Sequence, residues 1–153
     1  MVYADSWPYS TLGEPVGIYD AITAKASGAI TKGQIVKLSA ATVPPDGPVV
    51  ATAGAGDIPF GVAMQDIADG KTGKILKRGR VKVRAGGAIS VGDHVKAGAT
   101  GYVVTAIAGV IAGTTAVLSH AATGLVDGFL ACGVAETAAV ANGDDLLISF
   151  LRF

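Results

Sequence analysis

The sequence predicts a mainly β protein, a compact sandwich or small barrel with two internally duplicated halves behind an extended amino-terminal arm. Three observations lead there. Glycine and proline, 22 and 6 of 153 residues, punctuate the chain too often for long helices, and the 16% of charged residues is too low for their wet faces. Short runs of period-two alternation recur, as in Lys74-Ile75-Leu76, Val81-Lys82-Val83-Arg84 and Leu147-Ile148-Ser149-Phe150-Leu151-Arg152-Phe153. A glycine-led motif occurs twice: Gly28-Ala29-Ile30-Thr31-Lys32-Gly33-Gln34-Ile35-Val36-Lys37 aligns with Gly87-Ala88-Ile89-Ser90-Val91-Gly92-Asp93-His94-Val95-Lys96.

Residues 1–16 differ from the rest. Tyr3, Trp7 and Tyr9 are three of the nine large aromatics, and Pro8 and Pro15 favour an extended path over a helix. Two readings follow, an arm that docks elsewhere and an edge segment packed on its own domain. Residues 17–153 read as one duplicated β domain, since the matching motifs flank the midpoint of the chain.

In each glycine-led motif the second glycine, Gly33 or Gly92, suits a reversal that needs positive φ, and the β-branched residues beyond it restore extended structure. A second pair follows, Gly61-Val62-Ala63 and Gly133-Val134-Ala135. The first pair is offset by 59 residues and the second by 72, so the later half carries about 13 extra residues, expected within residues 109–128. Pro44-Pro45-Asp46-Gly47-Pro48 marks a long turn. Helix is expected only as single turns around residues 63–69 and 136–141.

Chemical motifs are sparse. Gly70-Lys71-Thr72 lacks the upstream glycine of a phosphate loop, because position 65 is Gln65, and Gly54-Ala55-Gly56 fails as a dinucleotide fingerprint because position 59 is Pro59. The single cysteine, Cys132, forbids an intrachain disulfide or a multi-cysteine metal site, and its apolar neighbours predict burial. Asp93 and His94 are adjacent on a strand and point to opposite faces, so they form no acid–base pair; Ser119-His120 lacks an orienting carboxylate, and Asp144-Asp145 reads as an exposed turn. No enzyme activity and no cofactor are expected. Residues 102–118 are uncharged but include three threonines and fall short of a membrane span, and residues 1–9 have neither a basic leader nor an apolar signal-peptide run, so neither insertion nor ordinary secretion is expected.

The strongest polar feature is a run of seven basic residues, Lys71, Lys74, Lys77, Arg78, Arg80, Lys82 and Arg84, with no acidic residue among them. With Val81 and Val83 inward, Arg80, Lys82 and Arg84 share the outer face as a positive ridge. Docking to an acidic protein surface and a merely solvated face are both open readings; nucleic acid is disfavoured by zero net charge and the lack of interleaved aromatics.

The stretch Gly61-Val62-Ala63-Met64-Gln65-Asp66-Ile67-Ala68-Asp69-Gly70-Lys71-Thr72-Gly73-Lys74-Ile75-Leu76, followed by Gly79-Arg80-Val81-Lys82-Val83, Gly92-Asp93, Gly101-Tyr102-Val103-Val104 and the second Gly133-Val134-Ala135, resembles the decoration or cement proteins of tailed-phage capsids over residues 16–150. The resemblance implies a β-rich fold, attachment to the exterior of the head by binding the major capsid protein, assembly as a homotrimer, stabilisation of the shell and no catalysis. The alternative is a phage tail or baseplate structural protein. Candidate docking residues are Tyr3, Trp7 and Tyr9 on the arm and Arg80, Lys82 and Arg84 on the ridge.

Overall fold

The computed structural model describes residues 12–39, 47–106 and 131–151. Nine strands run in chain order: β1 Pro15–Ala26, β2 Ile35–Leu38, β3 Val49–Thr52, β4 Gly61–Ala63, β5 Thr72–Arg84, β6 His94–Ala97, β7 Val103–Thr105, β8 Gly133–Ala135 and β9 Asp145–Leu151. No helix occurs among the described residues. The helical turns expected near residues 63–69 and 136–141 are instead captured by bridges, Ile67 with Ile30 and Ala139 with Ile89. In each bridge both amides bond across, at 2.8 and 2.9 Å for Ile30 with Ile67 and 2.9 Å for Ile89 with Ala139, which spends the groups a helical turn would use internally.

The pairings close on themselves twice. β1 pairs β3 in parallel, β3 pairs β2, β2 pairs β4, β4 pairs the first part of β5, and β5 returns to β1. The later part of β5 pairs β9, then β8, β6 and β7 follow, and the parallel bridge of Val103 with Ala85 closes the second ring. Of sandwich and small barrel, the fold is therefore the barrel, built twice around a shared strand. Lys74–Leu76 and Val81–Arg84, which read as separate strands, are one 13-residue β5. Gly79 carries it past the junction at φ 137, where an added Cβ would lie 2.8 Å from Tyr19 Cβ.

The duplication is visible bond by bond. Ile35 opposes Val62 as His94 opposes Val134, and Val36 opposes Thr52 as Val95 opposes Thr105. The Gly33 and Gly92 amides donate to Ala63 and Ala135 at 2.8 Å, and both glycines have the positive φ expected, 82 and 88. Thr52 corresponds to Thr105, 53 positions on, whereas Val62 corresponds to Val134, 72 positions on. The β7–β8 connection is thus longer than its counterpart by 19 residues and the β6–β7 connection shorter by six, a net surplus of 13. Residues 109–128, expected to hold that surplus, lie outside the described residues, as do residues 40–46 of the proline-rich turn.

The barrel interiors conserve volume rather than residue type. In the first, an added Cβ on Gly73 would sit 2.5 Å from Ile67 Cδ1. In the second, the corresponding positions are Leu146 and Ala139, so the large side chain has moved to the opposing strand. The same exchange occurs at one barrel end: Phe60 and Lys77 in the first half correspond to Cys132 and the fully buried Phe150 in the second. Both ladder partners of Phe150, Gly79 and Gly133, are glycines, which leaves space for its ring. Outside the first barrel, the cross-strand row Ile35, Val62 and Leu76 is fully buried and belongs to the same core cluster as the second barrel's interior. The turn before β7 secures this junction: the Ile35 amide donates to Gly101 O at 2.8 Å and the Gln34 side chain to Thr100 O at 2.9 Å.

Ile67→Ala is expected to cost about 2–5 kcal/mol through the cavity it leaves. Adding Gly73→Leu, which installs the second barrel's arrangement, is expected to return a substantial part of that loss although Gly73→Leu alone destabilises. Urea unfolding of the two single variants and the double variant measures the coupling, and additivity would show that the two positions do not share one space.

Candidate functional site

Val81 and Val83 are fully buried inside the second barrel, so Arg80, Lys82 and Arg84 do share the outer face of β5. Their charges are largely met there. Arg80 donates from Nε to Glu136 Oε2 at 2.7 Å and adds an Nη2 contact at 2.5 Å, and this carboxylate raises the guanidinium's pKa above its ordinary value. Lys82 lies 3.6 Å and Arg84 3.8 Å from Asp145, while the Arg84 guanidinium sits 5.9 Å from the Tyr102 ring. By contrast, Lys71, Lys74 and Arg78 are exposed and form no ion pair among the described residues. The outward field of the run therefore comes chiefly from its first half. Glu136 and Asp145 reach the ridge through β8 and β9, far along the chain, which is why the sequence does not reveal the compensation.

A second surface was not read from the sequence. The β1–β5 register breaks between Val16 and Asp20, with Gly17 at φ 81, and Ile18 and Tyr19 project from this bulge at 82% and 46% exposure. Arg78 lies opposite Asp20 across the ladder, so the bulge places an exposed aliphatic and an exposed aromatic residue next in the chain to an Asp–Arg cross-strand pair at the junction of the barrels. Such residues carry much of the binding energy in protein interfaces. Gly17 and Gly79, flanking the bulge on its two strands, were the available signal.

A third feature is an open groove of about 480 Å³ beside the end of β2, lined by Lys37, Leu38 and residues 56–60. Leu38 and Ile58 are 52% and 54% exposed. The Lys77 amine lies 3.3 Å from the centroid of the Phe60 ring. On the rim, Asp57 accepts a 2.8 Å salt bridge from Lys37 and a 2.7 Å hydrogen bond from the Gly54 amide, and these two donors hold its carboxyl below the usual range.

Tyr3, Trp7 and Tyr9 lie outside the described residues, as does His120. The described chain enters on the body: Leu12 abuts Gly33, the Gly13 amide donates to Lys82 O at 2.8 Å, and Pro15 opposes Val81 in the ladder. His94 is exposed on β6, while Asp93 turns back to accept the Ser90 amide at 2.9 Å. Asp144 is likewise a turn residue, accepting the Val140 and Ala141 amides at 2.9 Å. Cys132 is buried, with its Sγ 3.4 Å from Val95 O. Among the described residues no three His, Cys, Asp or Glu side chains gather as metal ligands.

Asp57 is deprotonated more readily folded than unfolded, so its stabilisation is full above the unfolded carboxylate's pKa and disappears as pH falls through the lowered folded value. Asp57→Asn is accordingly expected to cost less than about 1 kcal/mol at pH 7, since the pair is partly exposed, and nothing at strongly acid pH. Denaturant unfolding of both proteins at the two pH values measures this, and an undiminished difference in acid would contradict it.

Three comparisons bear on this surface-dominated molecule. No curated protein matches the chain. Among solved structures, the fold is similar to the head fiber gp8.5 N base of bacteriophage phi29, at TM-score 0.59 and 20% identity, over 88% of this chain and 96% of that one. A family model described as phage cement protein matches residues 16–150, which spans both barrels from β1 into β9. This chain belongs to the phage cement protein family.

Proposed function

We propose that this chain is a decoration protein that binds the exterior of a phage head through the major capsid protein, stabilises the shell as a homotrimer, and has no enzymatic activity. The observation that carries the reading is family membership across the whole double barrel. The physical character of the molecule supports it. Side chains fill both barrels, and the polar groups of the turns are largely engaged with backbone amides, so the chemistry left to the protein is on its outer surface. With only 16% charged residues, that surface can be covered by another protein at low desolvation cost.

Attachment in this reading uses the basic side of β5 against an acidic shell surface. Lys71, Lys74 and Arg78 steer the approach, while Arg80, Lys82 and Arg84, held by Glu136 and Asp145, set the register. The arm residues Tyr3, Trp7 and Tyr9 add buried aromatic anchors, and threefold association multiplies weak contacts.

Cryo-electron microscopy of assembled particles tests the reading directly, because it locates the protein and counts its copies around each symmetry axis. Density at the tail or baseplate and none on the head would overturn it. Replacing Arg80, Lys82 and Arg84 together by alanine leaves Glu136 and Asp145 facing the shell, and is expected to weaken capsid attachment by about tenfold and flatten its salt dependence. Co-sedimentation with undecorated capsids at low and high salt measures both, and an affinity that ignores salt in the unaltered protein would reject the ridge.

A further inference from the structure

We infer that the bulge of β1 is the apolar centre of the contact with the shell, seating Ile18 and Tyr19 in a recess of the major capsid protein whose border is acidic. The inference rests on the decoration reading above and names both the anchor and the chemistry of the surface that receives it.

The register places the bulge at the middle of the basic run. Val16 opposes Arg80 and Asp20 opposes Arg78, so Gly17, Ile18 and Tyr19 all stand against the single residue Gly79. Paired strands lie about 5 Å apart. The exposed Arg78 and Arg80 flank that level on β5, with Lys71 and Lys74 beyond the first and Lys82 and Arg84 beyond the second. Backbone geometry accounts for only part of the bulge. It needs Gly17, at φ 81, but makes no such demand on the next two side chains. Ile18, 82% exposed, adds little to the core of its own fold, and Tyr19 keeps about half of its surface free. A single exposed apolar residue is ordinary on any protein. Two in succession, with cations on either side, have the make-up of a contact whose centre is apolar and whose rim is charged.

Charge decides what covers the bulge. Lys71, Lys74 and Arg78 form no ion pair among the described residues, so a second copy presenting the same surface would set them against like charges. The rest of the described chain offers no matching acidic surface. Of its nine acidic residues, four accept backbone amides of turns at 2.8–2.9 Å, and Asp57, Glu136 and Asp145 face cations of the same chain. The other two, Glu14 and Asp20, sit singly before and within β1, and Asp20 stands across the ladder from Arg78. The carboxylates that complement the basic run therefore belong to a different protein. The apolar pair between the cations calls for an apolar recess inside that acidic border.

Co-sedimentation of the full-length protein with undecorated capsids tests this, alongside the mass and the unfolding midpoint of the free protein. Ile18→Ser is expected to lower capsid affinity by about tenfold at low and high salt alike, because the lost contact is apolar, whereas Ile18→Leu retains it. Lys71→Gln combined with Lys74→Gln is expected to weaken binding several-fold at low salt and to lose that effect at high salt. In the free protein Ile18→Ser leaves mass and midpoint unchanged. Capsid binding by Ile18→Ser equal to that of the unaltered protein would overturn the inference and leave decoration standing. A lower mass of the free assembly would overturn it by giving the bulge to a second copy, and a lower midpoint by giving Ile18 to the fold. Failure of the unaltered protein to bind capsids would instead remove the decoration reading, and with it the partner named here.

Discussion

The whole architecture depends on β5 serving two closures. Its first part completes a ring with β1 and β4, and its later part starts the next ring with β9. A two-residue break in direction at the junction would separate the barrels and leave both with unpaired edges, the usual route to uncontrolled strand addition. Gly79 prevents this by keeping the strand continuous at a φ of 137 that other residues rarely adopt, while Tyr19 packs where its side chain would be. The bulge at Ile18 and Tyr19 is the counterpart of that continuity on β1, which must cross the same junction with one set of residues out of register. Two exposed apolar side chains of the described fold, Ile18 and Tyr19, therefore arise from the same constraint that joins its halves.

Once the two rings are joined, they cease to be equivalent. The row Ile35, Val62 and Leu76 of the first barrel lies at the junction and is apolar; the matching row of the second barrel, His94, Val134 and Ser149, is partly polar and faces outward. Burial accounts for that difference, since a histidine in the first row would lose its hydration without a new partner. Interiors follow another rule. Ile67 with Gly73 and Ala139 with Leu146 fill comparable space by opposite assignments, because packing constrains summed volume and leaves the contributing strand open.

Much of the fold was legible because the duplicated features are local. Gly33 and Gly92 each sit in a turn whose positive φ excludes most other residues, and the bonds to Ala63 and Ala135 tie that turn to the Gly-Val-Ala strand that marks each half. Val81 and Val83 likewise announce their inward face by alternation alone. What was not legible depends on pairing across distance. Neither the merging of two short runs into β5, nor the choice of barrel over sandwich, nor the neutralisation of Arg80 by Glu136 follows from a local pattern. The helical turns were misread for the same reason: Ile67 and Ala139 find backbone partners in Ile30 and Ile89, some 37 and 50 residues away in the chain, and these outcompete a local turn.

The site of action follows from closure as well. Among the described residues the rings are filled and most strand edges are paired, so what remains for recognition is what projects from them or opens at their ends: the bulge, the outer face of β5 and the groove beside β2. These elements are constrained unequally. On the ridge Arg80 is oriented by its bonds to Glu136, while Lys82 and Arg84 share the single carboxylate of Asp145 at longer range and Arg84 Nε is buried without a hydrogen bond; Lys71, Lys74 and Arg78 are exposed and form no ion pair among the described residues. Paired and unpaired cations thereby occupy different parts of one strand. In the attachment proposed above, that division reconciles a positive face with a net charge of zero: attraction needs only a local surplus, while the three ridge cations already facing Glu136 and Asp145 add little desolvation cost on docking.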